Sequence, residues 1–162
     1  MSLADAAAEA DALADTDRAL AQLRAQWDDD LDMSARSPDF GERAVAYRAI
    51  GQFRFRAKKS LIGRGLQDDS PAVRGSALLA LERLSRDHPG DVNDVRATLH
   101  ELLTNDGNEA VRRLAVVALK NGSGRPDTIQ ILTSLGQDDE QPRELREAAA
   151  KVAQLLKRKG TK

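Results

Sequence analysis

The residues best able to engage a ligand are concentrated in one short run, FRFRAKKSLIGRG, at positions 53–65. It carries five basic residues (Arg54, Arg56, Lys58, Lys59 and Arg64), no acidic one, and the aromatics Phe53 and Phe55. Cations at this density neutralise phosphates, and an exposed aromatic ring stacks on a base. The run is therefore a candidate nucleic-acid or phosphate surface. A helical projection at about 100° per residue, starting from Arg54, narrows it. Phe55, Ile62 and Leu66 fall on one apolar stripe, which makes Phe55 a core residue more than a stacking platform. Lys58 and Lys59 flank that stripe, while Arg56 and Arg64 point elsewhere. Arg54 and Lys58, with Arg48 from the preceding segment, form the compact part of a candidate binding surface. Lys59 and Arg64 complete it.

Other chemistries find less support. The chain has two histidines, His88 before Pro89-Gly90 and His100 beside Leu99 on a helical segment, and both read as structural or exposed. There is no cysteine, so disulfides and thiolate chemistry are excluded and zinc could use only His and carboxylates. Asp28-Asp29-Asp30-Leu31-Asp32 could attract a hard cation but lacks the glycine and ligand spacing of a calcium loop. No phosphate-cradling glycine loop or GxSxG elbow occurs. No catalytic residue, metal ligand or cofactor is assigned, and a non-enzymatic protein is expected.

Composition sets the frame for these groups. The 162 residues suit one domain with a real core, and 41% hydrophobic with 31% charged residues excludes wholesale disorder. No apolar run reaches the length of a membrane span. The start, MSLADAAAEADALAD, is acidic and has no basic leader segment, so a cytoplasmic protein is expected. The net charge of −1 hides an asymmetry: residues 1–32 carry −7, residues 33–64 carry +6, and the rest balances.

The elements that must position these groups recur along the chain. DDSPAVRGSALLALERL (68–84) and NDGNEAVRRLAVVALKN (105–121) share a polar turn, a Val-Arg pair and small apolar residues at helical spacing. The apolar positions are Val73, Ala77, Ala80, Leu81 and Leu84 in the first and Val111, Ala115, Ala118 and Leu119 in the second. Residues 138–156 repeat the spacing with Leu145, Ala149, Val152, Ala153 and Leu156. A weaker copy at 38–53 supplies Ala46, Ala49, Ile50 and Phe53. This spacing is one face of an α-helix. Arg43, Arg74, Arg112 and Arg146 occupy one position of the pattern, with Asp39, Asp69, Asp106 and Asp139 upstream. A second amphipathic segment precedes the later copies, at about 57–67, 92–104 and 127–136. Breakers such as His88-Pro89-Gly90-Asp91 separate the units.

These motifs resemble the second half of a HEAT repeat, over about residues 38–156. The resemblance implies an all-α fold, a right-handed α-solenoid of about four HEAT-like helix pairs with an N-terminal capping helix. The expected organisation is an acidic, alanine-rich cap at 1–36, repeats at about 37–56, 57–91, 92–124 and 125–158, and a basic tail at 159–162. The cap's apolar face is Leu13, Leu20, Leu23, Trp27 and Leu31, and its alanine-rich start is expected to fray. The resemblance further implies an inter-repeat ladder of Asp69, Asp106 and Asp139 with Arg74, Arg112 and Arg146, with Arg43 at the matching position of the weaker first copy. Tetratricopeptide repeats share the period, but their Trp, Leu-Gly and Tyr positions are missing. HEAT-like alkylpurine DNA glycosylases and phycobilin lyases exist, but no match to their active-site motifs is present. The partner expected is another protein or a peptide. Nucleic acid is the alternative, and no membrane association is expected.

Overall fold

The computed structural model describes residues 1–160. Among them the chain is all-α, with ten α-helices, one 3-10 turn and no strand. The last two residues of the basic tail, Thr161 and Lys162, lie outside the described residues. The helices are α1 (Leu3–Asp11), α2 (Arg18–Ala35), α3 (Phe40–Gln52), α4 (Lys59–Leu66), α5 (Pro71–Ser85), α6 (Pro89–Asn93), α7 (Arg96–Asn105), α8 (Glu109–Leu119), α9 (Pro126–Gln137) and α10 (Arg143–Lys159). The 3-10 turn spans Arg56–Lys58. No helix among the described residues is long and apolar enough to cross a membrane. The chain divides into two compact units, Met1–Leu84 and the part from Ser85 onward.

In the first unit, α1, α2 and α3 pack on one another. The alanine-rich start is not frayed. Ser2 caps α1 in a reciprocal box, its hydroxyl accepting the Asp5 N–H at 3.1 Å while the Asp5 carboxylate accepts the Ser2 N–H at 3.0 Å. Ala6, Ala7 and Ala10 are wholly buried, and their small side chains allow close helix approach. On α2, Leu20 and Leu31 are fully buried, whereas Leu13 before it and Leu23 and Trp27 on it are half-buried. Asp17 and Asp39 cap α2 and α3 by accepting the N–H groups of Ala19 and Glu42. On α4, Gly65 fits because it has no side chain: a Cβ there would lie 2.7 Å from the Tyr47 ring and 2.8 Å from the Ala77 methyl.

The second unit is built of helix pairs, α7 with α8 and α9 with α10, and the second helices α8 and α10 also pack together. Asn108 caps α8 by accepting the Val111 N–H at 3.0 Å, and Pro126 opens α9 without needing an N–H partner. The recurrent apolar positions are the core: Val111, Ala115, Ala118 and Leu119 on α8, and Leu145, Ala149, Val152, Ala153 and Leu156 on α10. In the first unit, Val73, Ala77, Ala80, Leu81 and Leu84 on α5 are buried in the same register. Leu81→Ala and Leu119→Ala should each cost about 3 kcal/mol, the middle of the range for a buried leucine that leaves a cavity. Urea melts of the two variants check this, and near-zero shifts would mean that these positions do not face a packed core.

Candidate interaction surface

The basic run does not form the continuous helix assumed in the projection. Helix α3 ends at Gln52, and Arg54 then adopts φ +47°, a left-handed conformation normally left to glycine. The 3-10 turn and α4 follow. Phe53 and Phe55 are both buried and meet edge to face, with ring centroids 6.5 Å apart. Neither ring is available as a stacking platform.

The turn at residue 54 directs its side chain inward to the end of α1. The Arg54 guanidinium donates to the carbonyls of Ala10 (3.0 Å), Gln52 (2.8 Å) and Leu13, and to the Asp15 carboxylate at 2.9 Å. Its side chain is only 10% exposed. Arg24, on the apolar stripe of α2, completes the junction from the other side, donating to the carbonyls of Phe53 (2.7 Å) and Arg54 (3.1 Å). Two arginines thus bring donors to carbonyls at and just beyond the ends of α1 and α3, two of which, Ala10 and Arg54, also accept the N–H groups of Leu13 and Arg56.

Lys58 is engaged as well. Its ammonium donates to Asp28 and, at 3.0 Å, to Asp32, one turn apart on α2, and it lies 5.3 Å from the Phe55 ring centre. Burial works against the charged amine, but the hydrogen bonds it donates to the two aspartates outweigh it and hold its pKa above the ordinary lysine value. The acidic run of α2 is therefore partly neutralised from within. Among the described residues no cluster of three His, Cys, Asp or Glu could hold a metal ion. Arg56 donates to the Leu84 carbonyl at 3.1 Å. Of the five candidate surface residues, Arg48, Lys59 and Arg64 are exposed, while Arg54 and Lys58 are held in the junctions with α1 and α2.

The acid–arginine pattern has a different register from the one the resemblance implies. Ser37, Asp68, Asp106 and Asp138 occupy equivalent turns: each side-chain oxygen accepts the N–H two residues on, from Asp39, Ser70, Asn108 and Glu140, at 2.9–3.1 Å. The residue preceding Asp69 or Asp139 is the one that closes the turn, whereas Asp106 closes its own. Arg43 makes a two-pronged bridge to Asp68 at 2.9 and 3.0 Å and also donates to the carbonyls of Ser37 and Pro38. Arg74 repeats the second half of this arrangement on the carbonyls of Asp68 and Asp69. Asp68 resists protonation: burial pushes its pKa up, but the bonds from Arg43 and the Ser70 N–H more than compensate and hold it below the usual carboxylate range. Arg112 donates to the Leu103 carbonyl at 2.8 Å and to Gln141 at 2.9 Å, and Gln141 in turn donates to Asp138 at 3.1 Å. Arg146 donates to the Gln141 carbonyl, and its approach to the almost fully exposed Asp139 is 3.7 Å.

Helix pairs with recurrent small-residue faces, joined by turns that an arginine ties down, define a helical-repeat protein. Residues 88–154 match the family model for HEAT repeats, so that segment of the chain is similar to HEAT repeats. Such repeats commonly mediate protein interactions and are typically non-enzymatic scaffolds. No curated protein matches the chain.

Proposed function

We propose that this chain is a non-catalytic interaction module, an adaptor that presents the outer faces of its helix pairs to a partner protein or peptide. The observation that carries this reading is the HEAT-repeat match over 88–154, on a unit whose recurrent apolar positions are all used in the core. Large apolar side chains left outside, Met33, Phe40, Leu79 and Leu155, supply contact area for association. The reading needs no cofactor. The test is cross-linking of the tagged chain in its native cells, followed by direct binding between purified components. One protein should be enriched reproducibly and bind the purified chain, and one of Phe40→Asp, Leu79→Asp or Leu155→Asp should weaken that binding at least about tenfold. Enrichment of background proteins alone would count against an adaptor.

Nucleic-acid binding draws less support, because Arg54 and Lys58 are committed to internal partners. At low salt the chain should give no shift of single- or double-stranded DNA or RNA. A salt-sensitive shift that disappears in Arg48→Glu/Arg64→Glu would instead make the exposed cations a phosphate surface.

A further inference from the structure

A polar network lies between α7 and the start of α9 in the second unit. Arg96, at the head of α7, is 6% exposed, and Thr128, in the first turn of α9, is fully buried. The Arg96 guanidinium donates to the Thr128 hydroxyl at 2.7 Å and to the Asn93 side-chain oxygen. Asn93 is held in turn by Ser123: its oxygen accepts the Ser123 N–H at 3.0 Å and its amide donates to the Ser123 hydroxyl at 2.9 Å. His100, one turn along α7, brings Nε2 within 2.9 Å of the same Thr128 hydroxyl.

The hydroxyl has one proton. Arg96 can only donate, so the hydroxyl accepts from Arg96 and has its own proton to give. It can give that proton to His100 only if the imidazole is neutral, with Nε2 bare and the ring proton on Nδ1. A protonated His100 would place a second obligate donor, and a second positive charge, on an oxygen already serving the arginine. We propose that His100, Thr128 and Arg96 form a proton-sensitive latch that ties α7 to α9, closed while the imidazole is neutral and released by acidification.

The charged groups around the ring agree with this. Burial pushes the His100 pKa down; Asp127 at the start of α9 pulls it up, and Arg96 and Arg125 push it further down, leaving it below the ordinary imidazole value. Asp127 is half-exposed and shared with Arg125 at 3.3 Å, and on α8 Arg112 is engaged at the other end of α7 with the Leu103 carbonyl and Gln141. The sign follows by linkage. Between the lowered native value and the ordinary value near 6.5 the unfolded or opened form binds more protons. The latch therefore contributes fully above about pH 6.5 and is lost as pH falls below it.

Amide hydrogen exchange on the intact chain, corrected for intrinsic rates, tests this. Protection of the first two turns of α9 should fall several-fold, up to about tenfold, between about pH 7.5 and about pH 5.5, the ceiling that one titrating imidazole sets. His100→Gln, whose side-chain amide can accept the Thr128 proton without titrating, should keep protection equal at both pH values. Imidazole titration by NMR on the unmodified chain gives a second readout, with His100 titrating below the ordinary value. An equal loss of protection in His100→Gln, or a His100 that titrates at or above the ordinary value, would overturn the latch.

Discussion

Arg54→Ala is expected to destabilise the first unit by about 4 kcal/mol, read as a drop in urea midpoint with unchanged slope. The estimate comes from what the guanidinium leaves behind. Two carbonyls, those of Leu13 and Gln52, lose their donor at a part-buried junction, while that of Ala10 keeps the Leu13 N–H at 3.0 Å; each uncompensated polar group costs about 1–3 kcal/mol. The ion pair with Asp15 adds little, because that carboxylate is 80% exposed and solvent screens it. Asp15→Ala should therefore lie within about 0.5 kcal/mol of the parent. The backbone gives an internal control. Arg54 has φ +47°, so Arg54→Gly removes the same hydrogen bonds but relieves the left-handed strain. It should be less damaging than Arg54→Ala by about 1 kcal/mol. Equal stability of the glycine and alanine variants would show that strain at this turn contributes nothing. Full stability of both would show that the Leu13 and Gln52 carbonyls find water instead.

How far the sequence alone reaches can be judged from these residues. The apolar spacing of α5, α8 and α10 identified the buried face, because a repeated face of small and branched residues has no other stable use than packing. The helix break at residue 54 gave no such signal: the turn uses arginine where glycine would have announced it, and the conformation is held by contacts made 39 to 44 residues away. A straight projection through 54–66 consequently placed Arg54 and Lys58 on a shared surface, while the structure directs one to α1 and the other to α2. The ladder register was ambiguous for a local reason. Asp68-Asp69 and Asp138-Asp139 offer two adjacent carboxylates, and only the hydrogen bond to the N–H two residues on selects between them. Arg24 did leave a trace, being a cation on the apolar stripe between Leu20 and Leu31, a position from which a guanidinium can reach carbonyls across the helix interface. His100 looked like an ordinary helical histidine because Thr128, its partner, is 28 residues distant and in a different pattern position.

The second large effect should come from one methyl group. Gly124 lies where the segment after α8 crosses the end of α10, its N–H donating to the Gly160 carbonyl at 2.9 Å. A Cβ at residue 124 would stand 2.3 Å from two backbone oxygens, those of Gly160 and Leu156. Neither is the tip of a flexible side chain, so Gly124→Ala cannot be absorbed by a rotamer change. Either the segment lifts or the last turn of α10 moves away. Both routes break the 124–160 hydrogen bond and the contacts of Lys159, which donates to the carbonyls of Lys120 at 2.8 Å and Gly122 at 2.9 Å. They also loosen Leu156, which is wholly buried. The expected cost is at least about 4 kcal/mol, in the range reserved for overpacking and lost hydrogen bonds acting together. Hydrogen exchange should show the loss concentrated in the last turn of α10 and at 120–124, with the α7–α8 pair less affected. Lys159→Ala supplies the comparison: it removes the two lysine contacts without steric conflict and should cost only about 1–2 kcal/mol. If Gly124→Ala costs no more than Lys159→Ala, the close approach of the two backbones is not what fixes the end of α10. A much larger cost for Gly124→Ala makes the missing side chain at residue 124 the condition for seating the final helix.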